Sequence, residues 1–328
     1  MKRDHYLYSS GRLKRKDNTV YFEVKNERPK PLPVEKIRNI HVFGEVDMNN
    51  KVLTFLNSYG ICVHFYNYYG FYSGSFYPRE TQVSGYSVAK QSEHYLDENK
   101  RMYLAYSFLQ GGIHHMKRNL RRYKEKTEEE LLNIELEERK LQESRTIQEL
   151  MGKEGRLRQI YYQAFTSILP EDFAYEGRSK QPPNDPLNAL ISFGNSMMYR
   201  AILSEIYRTQ LDPTISYLHE PSTKRFSLSL DLAEIFKPLI VDSLIFSLIN
   251  RKAITLKHFD MLEGKMCYLN EDGQKRFLRA WEETLARTVK HRKLKRNTSY
   301  RYMIRLECYK LIKHVINDVV YKPLKAWW

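Results

Sequence analysis

The hydrophobic period of this chain changes once, near residue 86, and that change constrains the fold more than any other feature. Before it, short β-branched and aromatic runs ("TVYFEV", "IRNIHVF", "GICVHFYN", "FYSGSFYP") are separated by Gly, Asn, Asp and Pro clusters. Such text reads as strands joined by turns. One exception, "NKVLTFLNSYG", has helical spacing at Val52, Leu53, Leu56 and Tyr59, which predicts a short helix closing at Gly60. Beyond residue 86 the apolar residues recur at the helical period, and no repeat of solenoid length appears. The expectation is an α+β protein: a small β-sandwich-like domain over residues 1–86 and a larger all-α domain over residues 87–328.

Within the second part, "QSEHYLDENKRMYLAYSFLQGGIHHMKRNLRRYKEK" predicts one long helix, or two broken at Gly111-Gly112. The next opens with Thr127 and Glu130 at capping-box spacing. "PEDFAYEGRSKQPPNDP" reads as a loop, and "DPLNALISFGNSMMYRAILSEIYRTQ" as a buried helix running to the Asp212-Pro213 turn. "EDGQKRFLRAWEETLARTVKHRK" and "LKRNTSYRYMIRLECYKLIKHVINDVV" predict two further helices, the last strongly basic.

Charge is unevenly spread. Residues 1–86 carry 13 basic and 8 acidic side chains, residues 87–283 carry 29 of each, and residues 284–328 carry 12 against 2. Like charges on neighbouring helical turns repel, so a basic terminal segment favours an anionic partner, nucleic acid first. Cys62, Cys267 and Cys308 are isolated, with no zinc-ligand pair, as in a reducing cytoplasm. The N-terminal residues lack a signal-peptide core. The longest apolar run, "PLIVDSLIFSLI", is about half a membrane span and contains Asp242, so no membrane association is expected.

Chemistry concentrates in "SYLHEPSTKRFSLSLDLAEIFKPLIVDSL", residues 216 to 244. Asp231 and Glu234 lie three apart on one face of a predicted helix, with His219 upstream. Two readings stand: a helix N-terminus capped by Ser227 or Ser229 with favourable negative charge, or a ligand pair beside His219. An imidazole with carboxylates suits manganese or magnesium, which leave positions open for phosphate oxygens. Pro238 cannot donate to the Glu234 carbonyl and predicts a kink. His114 and His115, adjacent on a helix, point about 100° apart and read as surface or interface residues. A third acid, Glu154, sits between Gly152 and Gly155 in an otherwise helix-forming stretch, which predicts close approach of a helix or a phosphate. No phosphate loop, nucleophile elbow or reactive-cysteine context is present.

Glu154 in K-E-G-x-x-R-x-x-Y-Y, then "NDPLNALISFGNSMMY", "LDPTISYLHE" and "FSLSLDLAEIFKPLIVD", in that order, resemble the CRISPR-associated protein one family, the integrase and endonuclease of spacer acquisition. "GEVDMNNKVLTFLNSYGICVHFYNYYGFYSGSFYP" resembles the same family's β-domain, and the likeness spans most of residues 20–250. The resemblance implies divalent-metal ligands at Glu154, His219 and Glu234, with Asp231 assisting one turn away, and Mg2+ or Mn2+ as the ion. Asn195 and Tyr199 lie in the family's Asn- and Tyr-bearing helix and would line the site. Phe193 stands where Tyr is frequent. Lys237 replaces a frequent Arg, keeping the charge and losing the bidentate fork.

The same resemblance implies insertion of short foreign DNA into a CRISPR array, a homodimer formed through the β-domain, double-stranded and branched DNA as substrate, and a small second adaptation protein as partner. Lys224, Arg225 and Lys237 are expected at phosphates near the site. Arg292, Lys293, Lys295, Arg296, Arg301 and Arg305 are expected on duplex backbone. The rival reading is a non-catalytic nucleic-acid-binding scaffold whose acidic cluster caps a helix.

Overall fold

The computed structural model describes residues 2–79, 82–173, 175, 177–179, 182–221, 226–264, 266–316 and 319–328. The chain divides into two compact units, one of residues 1–81 with 268–275, the other of residues 82–267 with 276–328.

The first unit is two four-stranded sheets. Strands β1 (Arg3–Leu7), β5 (Ile37–Val42) and β7 (Cys62–Tyr66) run parallel, and β8 (Tyr72–Phe76) returns antiparallel on β7. The second sheet has the order β4 (Lys30–Leu32), β3 (Thr19–Glu23), β2 (Gly11–Lys16), β6 (Val46–Met48). Leu13, Val20 and Phe22 of this sheet join Leu7, Ile40, Val42 and Val63 of the other in one core, completed by Val52, Phe55 and Leu56 of helix α1 (Asn50–Ser58). The predicted helix is therefore present. Asn49 caps it by accepting from Val52 N at 3.1 Å, and Gly60 follows at φ +65°, in the left-handed region glycine tolerates. Strand β2 carries no sequence signal because only Leu13 of "GRLKRK" is buried. Its pairing with β3, from Lys16↔Thr19 to Arg12↔Glu23, makes it a strand.

The second unit is mostly helical. Its helices are α2 (Gly85–Leu96), α3 (Glu98–Arg121), α4 (Lys124–Leu141), α5 (Ile147–Ile168), α6 (Pro186–Ile206), α7 (Leu228–Phe236), α8 (Ser243–Asn250), α10 (Tyr300–Val315) and all but the first five residues of α9 (Glu271–Ala286). Strands β9 (Phe259–Leu262) and β10 (Met266–Leu269) pair, as do β11 (Thr288–Lys290) and β12 (Asn297–Ser299). Among the described residues no helix is long and apolar enough to cross a membrane.

Several local expectations change. The break between the first two helices falls at Asp97, whose side chain accepts from Asn99 N and Lys100 N, and not at Gly111-Gly112. Those glycines let α3 lie against α7: a Cβ on Gly112 would sit 2.6 Å from the Glu234 carbonyl oxygen, and one on Gly111 3.1 Å from Ile235. Gly152 and Gly155, by contrast, face open space, with no packed helix against them. Thr127 forms no capping box. It lies at a kink with φ −137°, where its hydroxyl donates to the Leu120 and Tyr123 carbonyls. The basic helix begins only at Tyr300, because residues 288–299 form the β11–β12 hairpin.

His115 is not a surface residue. It is buried, its Nδ1–H donates to the Ile235 carbonyl at 2.8 Å, and its Nε2 accepts from Ala326 N at 3.0 Å. Burial pushes its pKa down to about 3, so the neutral ring serves as a fixed hydrogen-bonded spacer. The kink expected at Pro238 is a π-helical turn over Lys237–Asp242. Carbonyls released there are retaken by α3: Asn119 Nδ2 donates to the Pro238 carbonyl at 2.7 Å.

Candidate functional site

Helices α5 and α7 build the site. Thr146 caps α5, accepting from Glu149 N at 3.2 Å, and the helix places Glu154 and Arg158 four residues apart on one face. The Arg158 guanidinium then bridges two helices: its Nε donates to Glu154 Oε1 and its Nη2 to Glu234 Oε2. Lys237 Nζ donates to the other Glu234 oxygen at 3.1 Å and lies 4.9 Å from the Tyr199 ring centroid of α6. The Glu234 side chain is 4 % exposed and that of Glu154 17 %, so the first is sealed by its cations and the second opens toward solvent. Burial alone would depress Arg158, but Glu154 overrides it and holds the guanidinium above its ordinary range, a fixed cation.

Asp231 has a different task. Its Oδ2 accepts from Tyr217 N at 2.6 Å and Leu218 N at 3.0 Å, and its Oδ1 from His219 N at 3.0 Å and His219 Nδ1 at 2.8 Å. Each oxygen already takes two hydrogen bonds, and the side chain is fully buried. Asp231 thus fastens the loop at residues 217–219 and orients the His219 ring, whose Nδ1 carries a proton toward the carboxylate. Ser227 and Ser229 do not cap α7. Their hydroxyls donate to the Thr214 and Phe226 carbonyls. Asp231 does lie in the first turn of α7, where negative charge suits the dipole, and each carboxylate of the pair also has its own partners.

The structure brings Glu154 and Glu234 onto one guanidinium and sets His219 on Asp231, one turn before Glu234. Among the described residues no three His, Cys, Asp or Glu side chains group tightly enough to hold a metal ion. Asn195, one turn before Tyr199 on α6, is buried, and its Oδ1 has no hydrogen-bond partner among the described residues. Phe193 packs edge-on against Phe277, ring centroids 5.3 Å apart, so this position is core.

Lys224 and Arg225 lie outside the described residues. Arg292, Lys293, Lys295 and Arg296 are exposed in the loop of the β11–β12 hairpin. Arg301 and Arg305 are turned inward: Arg301 Nη2 pairs with Glu282 at 2.8 Å and Arg305 Nε with Glu205 at 2.7 Å. Their charge is consumed in holding α10, which removes both from the set available to a duplex.

Two participants escaped the sequence reading. Arg158 stood in the quoted motif, and its i+4 spacing from Glu154 was the available signal. Asp242, at the end of the π turn, had none. It is buried, and neither carboxylate oxygen has an aligned hydrogen bond, though the Tyr161 hydroxyl lies alongside. Burial outweighs the pull of Arg158 and pushes its pKa up to about 7. An acid raised in the folded state stabilises most below its unfolded pKa of about 4, and that contribution is lost as pH rises through about 7. Asp242→Asn is therefore expected to raise the unfolding free energy by about 1 kcal/mol or more at pH 8 and to be neutral near pH 4, which denaturant titration at both pH values will read.

Fold and site together define an α+β protein of the Cas1 type. The family model "CRISPR associated protein Cas1" matches residues 5–283. A "CRISPR-associated endonuclease Cas1" of Clostridium perfringens is 57% identical over 331 residues, spanning 100% of both chains. The solved structure of a Cas1 protein from Thermotoga maritima is 41% identical, with TM-score 0.89 over 98% of this chain and 99% of that one. A casposase bound to integration product shares the fold at 20% identity, with TM-score 0.88 over 100% of this chain and 94% of that one. This chain belongs to the Cas1 family.

Proposed function

We propose that this protein is a divalent-metal-dependent DNA endonuclease and integrase that inserts short foreign DNA into a CRISPR array by phosphodiester strand transfer. The observation that carries the reading is the meeting of Glu154 and Glu234 on one guanidinium, with a histidine oriented through Nδ1 by Asp231 of the same helix, in a member of the Cas1 family. The relative from Clostridium perfringens, named an endonuclease, supports the reaction class.

The donor types suit the implied ion, although the side chains are not gathered around one point in this structure. Two carboxylates and one imidazole nitrogen are mostly hard donors that suit Mg2+ or Mn2+, while the three buried cysteines offer no thiolate cluster for zinc. Glu154, His219 and Glu234 would hold it. The chemistry supplied there is Lewis-acid polarisation of the scissile phosphodiester.

The chain's own residues do the rest. Arg158 neutralises the carboxylate pair, and were a divalent ion held there its planar fork would be available to a phosphate. Lys237, steadied between Glu234 and Tyr199, keeps positive charge where oxygens gain charge in the transition state. Asp231 keeps the His219 ring oriented throughout. The exposed cations of the β11–β12 hairpin contact DNA backbone, and the first unit pairs two copies beside a small second adaptation protein.

The test is strand transfer of a short duplex with free 3′-hydroxyls into a labelled array fragment. Manganese is expected to support transfer and nicking, and excess EDTA to abolish both while duplex binding persists. Equal transfer with and without metal sinks the mechanism. Duplex binding without any cleavage or transfer supports the scaffold reading instead.

A further inference from the structure

A second polar cavity lies in the helical unit on the far side of the π turn, with a volume of about 330 Å³, near the lower end for small-ligand sites. Four arginines line it: Arg118 and Arg122 from the end of α3, Arg251 just beyond α8, and Arg287 just beyond α9. No carboxylate lines it, and among the described residues Arg122, Arg251 and Arg287 make no ion pair. Arg118 is half-buried and donates to the Trp328 carbonyl. Burial depresses its pKa, and the neighbouring Arg122 adds to that.

The remaining lining is aromatic and hydroxylic. Tyr300 accepts from Trp328 Nε1 at 2.6 Å, which leaves its own O–H to donate into the cavity. Tyr123 lines the cavity beside it. Guanidinium forks match phosphate oxygens bidentately, and tyrosine rings stack on bases. A flat anionic surface such as a lipid bilayer would not fill a recess of one-nucleotide size. The recess connects to the acidic site through one element: Ser243, on its wall, donates to Asn119, which donates to the Pro238 carbonyl.

We infer that this four-arginine cavity is a nucleotide-binding subsite that takes one phosphate and its base from a DNA strand, separate from the carboxylate site. The inference rests on the DNA-processing reading above, and its test separates the two. Binding of a fluorescent single-stranded oligonucleotide, of dAMP and of inorganic phosphate is measured on the full chain and on Arg122→Ala/Arg251→Ala. Both residues are exposed, so the variant is expected to unfold like the parent. Trp328, in contact with Tyr300 and Arg118, gives a quenching signal for dAMP.

The double variant is expected to lose about tenfold or more in affinity for oligonucleotide and dAMP, and to lower the log–log salt slope for the oligonucleotide by about 0.7 per arginine. Unchanged affinity and slope in a folded variant overturn the subsite. Loss of dAMP or phosphate binding with DNA affinity intact reassigns the cavity to a free anion and overturns the DNA assignment, as does an oligo-aspartate peptide competing as well as dAMP. Cleavage and transfer that fail in the parent while this cavity still binds oligonucleotide overturn the enzymatic reading and leave the subsite standing.

Discussion

His219→Ala is expected to lower metal-dependent cleavage and strand transfer by about 10²- to 10⁴-fold while leaving duplex affinity and folding nearly unchanged. The asymmetry follows from how the ring is held. Its side chain is 21 % exposed, and its hydrogen bond through Nδ1 goes to an Asp231 that keeps three backbone donors when the imidazole is gone. The structural loss is one hydrogen bond, about 1 kcal/mol. The chemical loss is the imidazole that Asp231 orients one helical turn from Glu234. Activity and DNA affinity measured on the same preparation decide the matter, because survival of cleavage and transfer with unchanged binding would falsify a role for His219 in the site.

Asp231→Ala is expected to do the opposite in stability, costing on the order of 3–5 kcal/mol. Truncation leaves Tyr217 N, Leu218 N and His219 N as buried donors facing a void, with nothing to replace the oxygens they share. Asp231→Asn retains the shape but keeps one acceptor oxygen and turns an NH2 toward donors. It should fold less stably than the parent and lose about 10- to 100-fold in activity, since His219 no longer has the carboxylate that orients its ring. Denaturant unfolding alongside strand transfer separates a positioning residue from one at the reacting atoms. If Asp231→Ala unfolds like the parent yet is inactive, Asp231 acts on substrate or metal directly and the positioning assignment fails.

Much of this was legible along the chain. Strands such as Thr19–Glu23 and Cys62–Tyr66 announced themselves by β-branched and aromatic content, α1 by the spacing of Val52, Leu53 and Leu56, and the π turn by Pro238. Elements that failed to announce themselves owe their form to pairing. Strand β2 is mostly charged and exists because β3 and β6 flank it, and residues 288–299 read as helix until the register Lys290↔Asn297 closes them into a hairpin. The glycines show the same limit: Gly111-Gly112 and Gly152/Gly155 look alike in sequence, but only the first pair has a helix against it.

By itself, the sequence singled out Glu154, His219, Asp231 and Glu234 as candidates, through the helical spacing of the acids, a loop histidine and the ordered motifs that carry the family resemblance. What only the tertiary structure decided is how they divide the work. Asp231 and Glu234 are indistinguishable as two carboxylates on one helical face. The return of the 216–221 loop gives four donors to the first, and the approach of α5 gives the Arg158 guanidinium to the second. Hydrogen bonds between segments distant in sequence have no local signature. The partners of His219, Asp231 and Glu234 are therefore set by packing.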